Sequence, residues 1–139
     1  RRRRDQGGGQ PMAPLIALAW VTLAVPCHAI DGDTIKCGTE RIRLLGIDAP
    51  EMPGHCRRGR VCVEGDPYAS KDALAAMLKG KVRIDRVGYD HYGRTLALVE
   101  AGGHNIACMA LEEGIATYKA WYDNEGRIRQ ACKRSSARQ

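Results

Sequence analysis

The chain has 139 residues, of which 44% are hydrophobic and 27% charged, enough for one domain with a buried core and too few for two. Its formal charge of +6 favours an anionic partner, but four of the basic residues are Arg1 to Arg4. Without these and Asp5, 18 basic residues remain against 15 acidic ones, so charge alone identifies no class of partner.

The N-terminal segment joins basic residues to an apolar run over 11–25, the arrangement of a secretory signal peptide. Small residues suit cleavage after Ala24 or after Ala29. The run is short for a membrane span of about 20 residues, although a tilted, uncleaved anchor is an alternative. We therefore predict a lead over 1–24, a folded domain over 25–139, and a secreted or periplasmic protein.

Six cysteines occur without the paired C-x2-C units of zinc ribbons, which favours a disulfide framework. Spacing alone does not fix the pairing. We expect Cys27 with Cys37 and Cys56 with Cys62, because each pair flanks a short turn, which leaves Cys108 with Cys132 between two predicted helices. The alternative is a cytosolic protein with reduced, buried cysteines.

The pattern of apolar residues and turn residues predicts an α+β fold that is mainly β. A glycine-rich loop carrying two cysteines is expected over 52–65, and a helix beginning at the N-cap Asp66 and ending at Gly80. Five or so short strands with helices before the fourth and after the last fit an OB-type barrel with about three packed helices. The predicted strands are 27–30, 34–37, 41–47, 82–87 and 95–100, and the later helices are 105–113 and 125–135.

Two acidic turns could supply the oxygen ligands that a hard cation such as Ca²⁺ prefers. The first is Asp31-Gly32-Asp33 and the second Asp48-Ala49-Pro50-Glu51, which ends a strand. An EF-hand is excluded, because the twelfth position counted from Asp31 is Ile42 where that loop needs a glutamate. The alternative for both turns is ordinary turn chemistry, in which an aspartate caps the backbone.

Arg43 and Arg94 could complement these carboxylates, because a guanidinium fork matches two phosphate oxygens and stays charged. Arg94 follows a turn with Gly93, which would let a ligand approach the backbone. The alternative for each arginine is a solvated charge at a strand edge. Two arginines near four carboxylates favour a phosphate site.

Three segments resemble the signature segments of the staphylococcal nuclease family, in the right order: AIDGDT at 29–34, RLLGIDAPE at 43–51 and DHYGRTLA at 90–97. The similarity extends over about 27–122, apart from the cysteine-bearing loop. It implies an OB-type barrel with three helices. It also implies that the first strand immediately precedes Ile30, so cleavage after Ala24 is preferred.

The resemblance implies a calcium-dependent nuclease acting on DNA and RNA and leaving 3′-phosphate products. Its cation would be bound by Asp33, Asp48 and the main-chain carbonyl of Ala49. Glu51 would hold the attacking water, while Arg43 and Arg94 would contact the phosphate. The alternatives are a catalytically inactive nucleic-acid-binding module on the same fold and a disulfide-stabilised envelope protein held by its N-terminal helix, with no nucleic-acid role.

Tyr92 and Tyr122 match aromatic positions that line the nucleotide site in this family, with partly buried core tyrosines as the alternative. His91 stands where the best-known member has lysine, which would weaken a phosphate contact. The chain lacks the family's final tryptophan, so the third helix is expected to be less firmly anchored. No stable protein partner is implied, and a monomer is expected.

Overall fold

The computed structural model describes residues 19–137, so most of the predicted lead lies outside the described part. It contains nine strands, three α-helices and a 3-10 helix over Ala120–Tyr122. The strands are β1 (Trp20–Thr22), β2 (Cys27–Ala29), β3 (Thr34–Cys37), β4 (Glu40–Leu44), β5 (Ile47–Asp48), β6 (Val82–Tyr89), β7 (Thr95–Ala101), β8 (His104–Asn105) and β9 (Thr117–Tyr118). The helices are α1 (Pro67–Met77), α2 (Ile106–Glu112) and α3 (Arg127–Ala137).

The main sheet closes on itself as a small barrel. Its strand order is β1-β6-β7-β4-β3-β2, with β8 added to β7. The two ends of this path, β1 and β2, are consecutive in the chain, so together they form one interrupted strand that completes a five-stranded barrel. Among the strands of residues 19–137, β4 and β7 alone pair in parallel, and the other pairs are antiparallel. The predicted mainly β fold of OB type is confirmed.

The first strand of the barrel includes residues assigned to the predicted lead. Trp20, Val21 and Thr22 pair with Asp85, Ile84 and Arg83 of β6. The amide of Leu23 also donates to the carbonyl of Val82 at 2.8 Å. The boundary between residues 24 and 25 stays a prediction, but cleavage there would remove the strand that closes the barrel.

The strand predicted over 41–47 is divided in the structure. It breaks at Gly46, whose φ of +74° belongs to the left-handed region that favours glycine. A side chain at this position would also meet Ile128 of α3 at 2.9 Å. The interruption creates β5, which pairs with β9 and carries Asp48 away from the main sheet.

Helices α1 and α2 begin at the predicted caps, whereas α3 begins at Arg127, two residues after the predicted start. Asp66 accepts from the amides of Tyr68 at 2.9 Å and Ala69 at 3.2 Å, and Asn105 accepts from Cys108 at 3.1 Å. Helix α1 ends at Met77, three residues before the predicted Gly80, because Leu78 leaves helical conformation with ψ of 63°.

A buried carboxylate and a disulfide hold the third helix. Asp123 is fully buried and accepts from the amides of Ile128 at 2.5 Å and Arg129 at 3.2 Å. The hydroxyl of Tyr118 donates to the same carboxylate at 2.6 Å. Cys108–Cys132 joins α2 to α3. The Asp123 carboxylate and the disulfide therefore anchor α3 to the rest of the domain.

The expected cysteine pairing is confirmed, with bonds Cys27–Cys37, Cys56–Cys62 and Cys108–Cys132. Three disulfides in a short chain are typical of extracellular or periplasmic proteins. Over residues 19–137, none of the helices has both the length and the apolar character needed to cross a bilayer. The barrel interior is filled by large aliphatic side chains, among them Ile35, Ile42, Leu44, Ile84 and Val99.

Candidate active site

Two buried aspartates lie at one end of the barrel. Asp33 directly precedes β3 and Asp48 ends β5, and their exposed fractions are 5% and 4%. The turn before Asp33 packs so closely on its surroundings that a Cβ at Gly32 would lie 2.1 Å from Ser70 Oγ and 2.6 Å from Ala49 Cβ. Only glycine permits this approach, which holds Asp33 beside the Asp48-Ala49 segment.

Asp33 is fixed by hydrogen bonds from both sides. Its Oδ1 accepts from the hydroxyl of Thr34 at 3.0 Å and its Oδ2 from the amide of Ala49 at 2.9 Å. Because each carboxylate oxygen can accept more than one bond, capacity for a further partner remains. The side chain is therefore oriented without being saturated.

Arg43 links the two aspartates from the interior. Its Nη2 lies 3.5 Å from Asp33 Oδ2 and 3.5 Å from Asp48 Oδ1. Its Nη1 donates to the carbonyls of Leu44 at 2.9 Å and Ile47 at 2.7 Å. Its side chain is only 9% exposed, so these interactions act with little screening by water.

The carboxylates near Arg43 differ in their readiness to ionise. Burial alone raises the pKa of Asp33, but the charge of Arg43 and the hydrogen bonds to the carboxylate outweigh it and leave the pKa below its usual value. Burial and the charge of Asp33 raise the pKa of Asp48, despite opposition from Arg43 and Arg60. Burial, followed by the charge of Asp33, raises the pKa of Asp31 to about 7.

This arrangement fits a hard cation. Several carboxylates are held close enough to disfavour simultaneous ionisation, and a bound cation would relieve that repulsion. Carboxylate and carbonyl oxygens, which Asp33, Asp48 and Ala49 offer, are the ligands that Ca²⁺ takes. In residues 19–137, no group of three or more His, Cys, Asp or Glu side chains converges on one metal position. The candidate set therefore depends on the Ala49 carbonyl and on water as further ligands.

Glu51 lies beside this pair, and a guanidinium connects it to Asp48. Arg60 Nη1 is 3.2 Å from Glu51 Oε1, and Arg60 Nη2 is 3.2 Å from Asp48 Oδ2. The Glu51 side chain is 21% exposed, so it is more accessible to water than either aspartate.

Arg94 belongs to the turn between β6 and β7. Asp90 organises this turn, since its carboxylate accepts from the amides of Tyr92 at 3.0 Å and Arg94 at 2.9 Å. The same carboxylate accepts from Arg94 Nε at 2.7 Å. Asp90 thus fixes the base of the Arg94 guanidinium. Within residues 19–137, no ion pair joins Arg94 to Asp33 or Asp48.

The predicted nucleotide-lining residues occupy two places. Tyr92 is 40% exposed, its ring lies 3.9 Å from that of His91 between centroids, and Arg94 lies 5.4 Å from the centre of its ring. Tyr122 is 38% exposed and lies under Arg43, 5.2 Å from the guanidinium carbon to the ring centre. Neither tyrosine is a buried core residue.

Sequence comparison places the chain in a known family. Residues 41–138 match the family described as Staphylococcal nuclease homologue, which is more than half of the chain. The chain belongs to this family. The matched range contains Arg43, Asp48, Glu51 and Arg94 and begins after Asp33.

Individual relatives agree with the family match. The chain is 36% identical over 107 residues to a thermonuclease of Staphylococcus intermedius, covering 70% of this chain and 60% of the relative. It is 33% identical over 120 residues to a thermonuclease of Staphylococcus hyicus, covering 78% and 68%. It is 32% identical over 114 residues to an uncharacterized endonuclease of Haemophilus influenzae, covering 78% and 58%. The chain thus spans about three fifths of the length of the Staphylococcus intermedius and Haemophilus influenzae relatives.

The structure brings Asp33, Arg43, Asp48, Ala49 and Glu51 together, and Tyr122 adjoins them through Arg43. It places Arg94, Tyr92 and His91 on a separate turn.

Sequence reasoning missed the contributions of Asp90, Arg57 and Arg60. The Asp90 interaction has a sequence signal, since an aspartate two residues before an amide commonly accepts from it. The loop arginines have none, because the path of their loop is fixed by tertiary contacts.

Proposed function

We propose that the chain is a calcium-dependent nuclease that hydrolyses phosphodiester bonds of DNA and RNA to 3′-phosphate and 5′-hydroxyl ends. Family membership supports nuclease activity. The observation that carries the proposal is the buried Arg43 held 3.5 Å from both Asp33 and Asp48, with Glu51 adjacent. This combination presents oxygen ligands, a guanidinium and a water-accessible carboxylate in one place.

The chemistry requires positive charge, because the phosphodiester is an anion and its transition state carries more charge on oxygen. Asp33, Asp48 and the Ala49 carbonyl would hold Ca²⁺, which when bound would supply a fixed positive charge beside the phosphate. Arg43 and Arg94 would donate to the phosphate oxygens, Arg94 near the leaving oxygen.

Glu51 would orient the attacking water and accept its proton. The water oxygen forms the new bond to phosphorus, the bond to the 5′-oxygen breaks, and that oxygen leaves as a hydroxyl after taking a proton from solvent. Tyr92 and Tyr122 would stack against bases, at about 1–3 kcal/mol per base, with His91 beside the backbone.

The proposal also covers where the protein acts and its oligomeric state. Three disulfides together with the basic and apolar N-terminal segment support export, to the periplasm or outside the cell. A membrane association would arise only if that segment stayed uncleaved. We propose a monomer with DNA and RNA as substrates and no stable protein partner.

The test is hydrolysis of single-stranded DNA and RNA with calcium or with a chelator, beside direct binding of the same oligonucleotides. We expect cleavage only with calcium, and a loss of about 10²–10⁴ in kcat for Glu51→Gln. Glu64→Gln is the matched control, since Glu64 is an exposed carboxylate of the neighbouring loop. Binding without cleavage in every sample would instead assign the chain to the inactive nucleic-acid-binding modules.

A further inference from the structure

Arg60 belongs to none of the segments that resemble the nuclease family, yet its guanidinium reaches the centre of the site. Its Nη2 lies 3.4 Å from Asp48 Oδ1 and 3.2 Å from Asp48 Oδ2, and its Nη1 lies 3.2 Å from Glu51 Oε1. The Arg60 side chain is 34% exposed, while that of Asp48 is 5% exposed. Arg60 therefore covers both oxygens of a candidate cation ligand from the solvent side.

A covalently closed loop carries this arginine. Cys56–Cys62 encloses Arg60, and the amide of Arg60 donates to the carbonyl of Arg57 at 3.0 Å. Arg57 lies over the ring of Tyr92, 4.6 Å from its centre. The disulfide-closed loop, residues 56–62, thus contacts the carboxylates through one arginine and the β6–β7 turn through another.

A cation and the Arg60 guanidinium would compete for Asp48. The guanidinium occupies both Asp48 oxygens, and a cation bound to that carboxylate would repel it. Because the loop is closed by a disulfide and its other end rests on Tyr92, the displaced side chain stays near the site. The Arg60 side chain is already 34% exposed, so a displaced guanidinium would move toward solvent, from which a nucleic acid would approach.

We propose that Arg60 is a further substrate-binding residue, retained by Asp48 and Glu51 until a cation displaces it and then donating to a phosphate of the nucleic-acid backbone. This inference rests on the proposed nuclease function. The loop therefore delivers a third guanidinium to the substrate, and the same residue weakens cation binding while no substrate is present.

The experiment compares Arg60→Gln with Arg58→Gln, which removes the same charge from the same loop. Within residues 19–137, Arg58 takes part in no ion pair. Calcium affinity is measured by titration calorimetry without nucleic acid, and kcat and KM are measured on a single-stranded DNA oligonucleotide at several salt concentrations.

For Arg60→Gln we expect calcium to bind several-fold more tightly and KM to rise about tenfold, with kcat nearly unchanged. The slope of log KM against log salt should fall by about 0.7, as for the loss of one phosphate contact on a single strand. Arg58→Gln should change the calcium affinity and the salt slope much less.

Equal behaviour of the two variants in calcium affinity and in KM would overturn the inference. Tighter calcium binding with an unchanged KM would overturn the substrate contact. A wild-type chain that binds calcium and cleaves nothing would overturn the proposed function instead, and the calcium affinities of the two variants would still test whether Arg60 competes for Asp48.

Discussion

The carboxylates of the candidate site and the arginine that covers them come from regions of different physical character. Asp33 and Asp48 are buried; Asp33 directly precedes β3 and Asp48 ends β5, and Arg43 and a close glycine contact fix them. Arg60 belongs to an exposed loop closed by a disulfide. The difference indicates that the strands supply a rigid, charged pocket and the loop supplies an adjustable partner for it.

The two regions should differ most in how much stability the protein loses when the arginine of each region, Arg43 or Arg60, is removed. Arg43→Gln leaves the buried Asp33 without its cation and leaves Asp48 with Arg60 alone, so we expect a loss of about 3–5 kcal/mol in the free energy of unfolding. Arg60→Gln removes a partly exposed pair and should cost about 1 kcal/mol or less. Urea denaturation in the presence of a chelator measures the free energy of unfolding of both variants. Equal losses would contradict the contrast between a rigid pocket and an adjustable loop.

The two disulfides outside the strands should differ in what they control. Cys108–Cys132 closes a longer loop and joins α2 to α3, so replacing both cysteines by serine should cost about 3 kcal/mol and leave KM unchanged. Replacing Cys56 and Cys62 should cost less stability but raise KM several-fold, because Arg57 and Arg60 lose their tether. Thermal denaturation and steady-state kinetics of both double variants make the comparison. An unchanged KM without Cys56–Cys62 would remove the loop from substrate binding.

A substitution at Gly32 should distort the rigid side of the site directly. The new methyl group of Gly32→Ala would collide with Ser70 and Ala49, so we expect a loss of about 1–3 kcal/mol and weaker calcium binding. Gly88→Ala is the matched control, because a Cβ at Gly88 would have no neighbour within 4 Å. Similar stability and calcium affinity in the two variants would show that close packing at Gly32 does not hold Asp33.

The smallest expected effect lies away from both regions. Glu40 accepts from Arg86 at 2.7 and 2.8 Å and from Thr95 at 2.7 Å, and the Arg86 hydrogen bonds lower its pKa below the ordinary 4.5. The ionised Glu40 side chain therefore stabilises the fold above pH 4.5. This stabilisation is lost as the pH falls through the lower pKa of the folded state. Glu40→Gln should cost about 0.5–1 kcal/mol at neutral pH and less in acid, as measured by denaturation across pH. A constant cost at every pH would contradict the assignment.

The sequence predicted the strand-borne part of the site better than the loop. Asp33, Asp48 and Arg43 lie in short segments whose turns and alternation are local properties, so the motifs and barrel class could be recognised. Three residues of the predicted lead instead close the barrel, since edge pairing with β6 depends on a distant strand. The approach of Arg60 was not predictable, because three arginines in one polar loop look alike until the fold brings one of them to Asp48.

Analysis of the ends of a cleaved oligonucleotide would test the nuclease proposal most directly. The chain is stripped of metal, calcium is restored to half of it, and both samples are incubated with a defined single-stranded DNA whose fragments are weighed by mass spectrometry. We expect fragments with 3′-phosphate and 5′-hydroxyl ends only in the calcium sample. Intact DNA in both samples, or equal cleavage without calcium, would contradict a calcium-dependent nuclease built on Asp33, Asp48 and Glu51.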